Sequence, residues 1–187
     1  GWMPAFREFP GTGIADPVVF QNYMLEVSRS LLRNGARRLV YLNTGISKAS
    51  GLPIAIVARE VRVQYGVPTL VVSWDDLETA AVGQLAEQRE GGHGDEIETS
   101  IQLYLQPERV DMSLAVRDYG PAKPQDHAGY RPGMFSREAG DPDHSVTGIY
   151  GDPTLATADK GRAALELMRA EWLQALRGFA DTPVRKD

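Results

Sequence analysis

Eight consecutive residues carry the densest chemistry in this 187-residue sequence: His93-Gly94-Asp95-Glu96-Ile97-Glu98-Thr99-Ser100. One of only three histidines stands there with three carboxylates, between Gly92 and Gly94. Glycine lets backbone approach a ligand closely. A helix N-terminus favours an ionised carboxylate, and an imidazole exchanges protons near neutral pH. The set therefore suits general acid–base work, with a carboxylate orienting the imidazole or binding a cation. The same spacing also has a purely structural explanation. Asp95 followed by Glu98 resembles a capping box, in which both side chains satisfy backbone donors. On that reading Glu96 is a solvated surface carboxylate.

A second group is Asp126 and His127 with Asp141-Pro142-Asp143-His144, which offers oxygen and imidazole donors in principle. It lies in a Pro- and Gly-rich stretch from Tyr119 to Ser145, which reads as a surface excursion: a polar, solvated loop is the favoured explanation, with an active-site or subunit-contact loop as the alternative. A phosphate-cradling loop, a His-Glu-x-x-His helix and a nucleophile elbow are all absent from the sequence.

The elements that must position these residues follow an alternating order. Phe20, Tyr23, Met24, Val27 and Leu31 have helical spacing, and Asn34-Gly35 closes that helix. Arg38–Leu42 reads as a short apolar strand, of the kind covered on both faces in a parallel sheet. A helix over Leu52–Tyr65, a break at Gly66-Val67-Pro68 and a strand over Thr69–Ser73 come next. Helix, strand, helix, strand with short joints predicts an α/β fold with a mainly parallel sheet. Trp74–Glu90 is weakly helical. A helix from Glu96 places Ile97, Ile101, Tyr104 and Leu105 on one face and stops at Pro107. In the last helix Asp152 is the candidate N-cap with Pro153 at N1, and Leu165, Met168, Trp172, Leu176 and Phe179 form its stripe.

The net charge of −5, with both signs interleaved, predicts neither a nucleic-acid nor a membrane partner. No apolar run approaches the ~20 residues that cross a bilayer. The sequence has no cysteine, which removes thiolate ligands and a cysteine nucleophile and fits a cytoplasmic location.

The His93–Ser100 segment is similar to the His-Ala-Gly-x-x-Glu-Thr-Ser signature of the creatininase (creatinine amidohydrolase) family, departing at Gly94 and Asp95. Further segments match in order: Phe9-Pro10-Gly11-Thr12, then Arg37-Arg38-Leu39-Val40-Tyr41-Leu42-Asn43, then Pro107-Glu108-Arg109-Val110-Asp111-Met112. Gly148-Ile149-Tyr150-Gly151-Asp152-Pro153 and Ala156-Thr157-Ala158-Asp159-Lys160-Gly161 complete the series. The resemblance implies a three-layer α/β/α sandwich, usually oligomeric, with two divalent metals (Zn or Mn) that polarise an amide or lactam and activate water. It casts His93 as the proton shuttle and Glu98 as a supporting carboxylate. Trp74, just after a strand, and Asn43, at a strand end, become substrate-binding residues, although edge-of-core packing explains Trp74 equally well.

The metal ligands of the family have no counterpart here. Its Glu-x-His pair and following Asp would precede this chain, which opens Gly1-Trp2-Met3-Pro4. Its Asn-Gly-His-x-x-Asn motif reads Asn43-Thr44-Gly45-Ile46-Ser47-Lys48, with Gly45 in place of the histidine. Glycine has no side chain to donate, and the Lys48 ammonium opposes a second cation. No metal-ligating residue is therefore assigned. The expectation is one creatininase-like domain over residues 1–187, lacking its first strand–helix unit. It acts on a small amide or lactam if ligands come from outside the chain. Otherwise it is a non-catalytic assembly or ligand-binding subunit. An exposed sheet edge predicts a homo-oligomer or a complete family member as partner.

Overall fold

Asp16 and Pro17 start the first helix as their types dictate. The Asp16 carboxylate accepts from the Val18 and Val19 N–H groups, at 2.8 and 3.4 Å, and Pro17 occupies the first turn. In the computed structural model, which describes residues 10–44, 48–77, 80–119 and 146–184, α1 spans Pro17–Arg33. It ends at Asn34, and Gly35 follows at φ +91°, a conformation that favours glycine.

The strands β1 (Leu39–Asn43) and β2 (Thr69–Ser73) pair in parallel, Leu39 opposite Thr69 through Asn43 opposite Ser73. Parallel strands need a crossover, and α2 (Lys48–Tyr65) supplies it. Ile54, Val57, Ala58 and Val61 bury one side of α2 against Leu25, Leu39 and Tyr41, with Phe20, Met24 and Val71 packed around them. Helices against a parallel pair make this an α/β fold, as the rhythm of the sequence predicts.

Two expectations about α1 and β1 change in detail. The predicted α1 stripe is rotated: Leu25 and Ser28 are buried, while Tyr23 and Leu31 are 64% and 49% exposed. Ser28 enters the core because its hydroxyl donates to the Met24 carbonyl (2.7 Å) and accepts from Tyr41 Oη (2.8 Å). β1 is not covered on both faces. Its burial alternates, leaving Val40 and Leu42 exposed.

The described chain divides into two compact units, one from Gly13 to Leu77 with the residues from Glu171 onward, the other from Glu78 to Ala170. The first holds α1, β1, α2, β2 and the short turn α3 (Trp74–Leu77). In it Arg38 donates to the Thr182 carbonyl at 2.8 Å. The second holds α4 (Ala80–Gly83), α5 (Glu96–Leu105) and the start of α6 (Ala158–Ala180). α5 buries Ile97, Ser100 and Ile101, whereas Tyr104 and Leu105, placed by their spacing on the same face, are exposed.

Of the predicted α6 stripe Met168 is buried, and Leu165, Trp172, Leu176 and Phe179 are half-buried, while Gly161 and Ala164, outside that stripe, are the other buried positions. The predicted cap of α6 does not hold. Asp152 caps a 3-10 turn over Pro153–Leu155 through the Thr154 N–H. The first turn of α6 is instead capped by Thr157, whose hydroxyl accepts from the Lys160 N–H at 3.2 Å.

Candidate functional site

In the first unit, Asn43 and Trp74 lie at the same end of the parallel pair. Asn43 is buried at the last position of β1, opposite Ser73, and Trp74 follows Ser73 directly. Gly51 of α2 lies beside them, so that a side chain there would meet Asn43 Nδ2 at 3.6 Å and Ser73 Oγ at 3.9 Å. The Ser73 N–H donates to Asp76 Oδ2 at 2.8 Å, which turns the chain out of the sheet. Trp74 is half-buried. Gly45, Ser47 and the candidates at Asp126, His127, Asp141, Asp143 and His144 lie outside the described residues, as does most of the Tyr119–Ser145 stretch.

In the second unit, the loop before α5 is built around His93. Asp95 is the N-cap of α5, accepting from the Glu98 N–H at 3.0 Å. Glu98 reaches back to the Gly94 N–H (2.5 Å), one residue earlier than a capping box requires. The structural explanation of this spacing therefore holds for Asp95. Glu98 spends its carboxylate on the peptide that follows His93, which fixes the loop carrying the imidazole. Gly94 has φ +57°, the left-handed conformation this turn demands.

The imidazole is half-buried, and its Nδ1 lies 2.6 Å from the Gly148 carbonyl oxygen. A carbonyl only accepts, so Nδ1 carries the proton. Burial pushes His93 below the ordinary histidine value of 6.5, outweighing the Gly148 carbonyl and the Asp95 carboxylate, which pull it up. The ring is thus neutral at pH 7, and Nε2 bears the lone pair. His93 and Tyr150 also exchange both backbone hydrogen bonds, at 3.3 and 2.8 Å, as an antiparallel bridge.

Several residues here have no signal in the local sequence. Gln88 is a hub: its amide oxygen accepts from the Glu96 and Asp152 N–H groups (3.1 and 3.0 Å), and its Nε2 donates to Asp95 Oδ2 (3.0 Å). Glu96, expected in solvent, has no exposed surface. Its Oε2 accepts from the Glu87 and Gln88 N–H groups at 2.8 and 2.7 Å, and its Oε1 lies 2.5 Å from Lys160 Nζ. Lys160 also meets Glu87 Oε1 at 2.5 Å and the Leu155 carbonyl at 3.1 Å. Gly151, at φ +146°, lies so close to Asp95 that a side chain would come within 2.5 Å of its Cβ.

Asp95 accepts from the Glu98 N–H and the Gln88 side-chain amide, Glu98 from the Gly94 N–H, and Glu96 from two backbone N–H groups and Lys160. Among the described residues no three His, Asp or Glu side chains converge as metal ligands. The donor set of a two-metal site is not found among them. No helix among the described residues is long and apolar enough to cross a membrane.

The creatinine amidohydrolase (creatininase) family model matches residues 1–176. Creatinine amidohydrolase of Pseudomonas putida is 32% identical over 128 residues, 62% of this chain and 48% of that protein. The 3-dehydro-scyllo-inosose hydrolase of Thermotoga maritima is 28% identical over 177 residues, 85% of this chain and 56% of that protein. The chain spans about half the length of these curated relatives. Among solved structures, a mutant creatininase complexed with creatine has a TM-score of 0.72 at 28% identity, covering 97% of this chain and 74% of that one. A Zn–Zn creatininase (TM-score 0.70, 28% identity) and a manganese creatininase (0.71, 27%) each cover 95% of this chain and 72% of theirs.

Proposed function

The chain belongs to the creatininase family, and on that premise we propose that it serves the hydrolysis of an amide C–N bond in a small cyclic or linear substrate. The observation that carries this reading is His93 Nδ1–H held on the Gly148 carbonyl, which leaves a neutral ring with Nε2 as its basic nitrogen. Amide hydrolysis needs a proton removed from attacking water and delivered to the departing nitrogen. One imidazole does both: Nε2 takes the proton as the C–O bond forms and returns it as the C–N bond breaks. Glu98 supports this by pinning the Gly94 peptide. Asn43 and Trp74 are assigned as substrate-binding residues on the resemblance of their segments. Cytoplasmic location and oligomerisation, with itself or with a complete family member, belong to the same proposal.

The test is turnover of creatinine and related lactams with Zn or Mn supplied, compared with His93→Ala. The expected loss in kcat is roughly 100-fold or more. Equal turnover by wild type and variant would remove His93 from the reaction. Gly45, at the position of a family histidine ligand, favours a second reading, a non-catalytic subunit. Native mass spectrometry showing a mixed oligomer with a complete family member, together with no turnover by the chain alone, would select it.

A further inference from the structure

We propose that Tyr150, its hydroxyl held by Glu90, is a positioning residue that fixes the tautomer of His93. The assignment rests on geometry within one unit. His93 and Tyr150 are directly opposed across their bridge, so their side chains project to the same face. Gly148, two residues before Tyr150, supplies the carbonyl that holds His93 Nδ1 at 2.6 Å. Three hydrogen bonds therefore join His93 to a segment only three residues long, and the place of that carbonyl depends on what fixes the segment.

Tyr150 fixes it by its side chain. The phenol is buried and donates to Glu90 Oε2 at 2.7 Å. Its ring meets Tyr119 edge-on, with centroids 6.2 Å apart, and Arg89 stacks on Tyr119 at 5.3 Å. Glu90 is itself held by Arg89 Nη2 at 2.6 Å. A buried hydroxyl that loses its partner shifts or admits water, and the Gly148 carbonyl moves with it. The proton on His93 is then shared between Nδ1 and Nε2, and less of the ring is in the form that accepts a proton at Nε2.

The catalytic consequence rests on the amide-hydrolysis reading, but the tautomer does not. The experiment is ¹⁵N imidazole NMR of the full chain, with His93 identified by the signal lost in His93→Gln. Wild type should show one Nδ1–H tautomer with a slowly exchanging proton. Tyr150→Phe and Glu90→Ala should both give a tautomer mixture and severalfold faster exchange. Glu90→Gln, which keeps an acceptor oxygen without the charge, should resemble wild type. In turnover, Tyr150→Phe should lower kcat about tenfold with KM little changed, as expected for a misplaced proton carrier. Unchanged His93 signals in both Tyr150→Phe and Glu90→Ala would overturn the proposal. So would a Glu90→Gln spectrum equal to that of Glu90→Ala, since charge and not the hydrogen bond would then be responsible. If Tyr150→Phe does not fold, the two Glu90 variants decide. If wild type turns over nothing while the NMR pattern holds, the functional reading fails and the positioning role stands.

Discussion

Lys160 Nζ lies 2.5 Å from Oε1 of Glu96, a carboxylate with no exposed surface. The pair joins the first turn of α6 to the first turn of α5, where Glu98 and the His93 loop are set. Removing one partner of a buried pair leaves the other charged and unpaired, a loss of about 3 kcal/mol or more. Lys160→Met should therefore destabilise the protein by about that amount, read as a lower urea midpoint. Glu96→Gln should cost less, because it neutralises the buried group and keeps an acceptor for the Glu87 and Gln88 N–H groups. Equal losses would mean that the pairing is not what stabilises this junction. Burial lowers the Lys160 pKa, but Glu87 and Glu96 more than offset that and raise it above 10.5. The contribution is thus complete at neutral pH and is lost only as pH rises through the raised value.

The approach that makes this pair possible depends on Gly161. A Cβ there would run into the Ser100 carbonyl and lie 2.8 Å from the Ile101 nitrogen. Both are backbone of α5, which cannot swing aside as a flexible side chain would. Gly161→Ala should cost about 3 kcal/mol through overpacking. Gly178, in the same helix with nothing within 4 Å, is the control. There alanine should stabilise by about 0.5–1 kcal/mol. Thermal melts of the two variants moving in opposite directions are the expected result. A neutral Gly161→Ala would show that the two helices separate without penalty.

The α/β order was legible because apolar runs and Gly or Pro breaks report local structure directly. Asp95 was legible as a cap for the same reason, its partner being three residues away. Glu96 was not. A carboxylate at the start of a helix is ordinarily solvated, and its cation lies 64 positions along the chain. Only tertiary packing brings Lys160 there. The α1 stripe was only partly legible: Phe20 and Met24 pack against the core as their spacing predicts, but apolar periodicity cannot show that a serine will occupy the core once its hydroxyl is satisfied on both sides. Gly148 and Tyr150 sat in a segment matched to the family, yet spacing gave no hint that the Gly148 carbonyl would meet the His93 ring or that Tyr150 would bridge the His93 backbone. The family signature named the imidazole and left its hydrogen-bond partner to the fold.

Ser28 and Tyr41 give a direct measure of that buried polar contact. Ser28 gives its one proton to the Met24 carbonyl, so Tyr41 must be the donor between the two hydroxyls. Burial raises the Tyr41 pKa, against the Ser28 hydrogen bond, so the phenol stays protonated as this donor must. Ser28→Ala strands the phenol proton and should cost about 1–3 kcal/mol. Tyr41→Phe leaves Ser28 bonded to Met24 and should cost about 1 kcal/mol. The double variant should be more stable than Ser28→Ala alone. Strict additivity in urea unfolding would mean that the two hydroxyls do not interact.

The depressed pKa of His93 sets how stability responds to acid. Burial holds the folded-state value below 6.5, so on acidification the unfolded chain takes up a proton before the native one does. Well above about pH 6.5 both states are unprotonated and the residue contributes no pH dependence. As pH falls from 6.5 toward the folded value, protonation of the unfolded state draws the equilibrium away from the native state. Below the folded value both forms are protonated and the effect levels off. His93→Gln removes this component while keeping a polar side chain of similar reach. Melting temperatures from pH 8 to pH 5 should therefore fall more steeply for wild type than for the variant, with the two curves parallel above pH 7. A variant that loses stability in acid as steeply as wild type would show that the imidazole is not held in its neutral form, and the proton-accepting Nε2 would go with it.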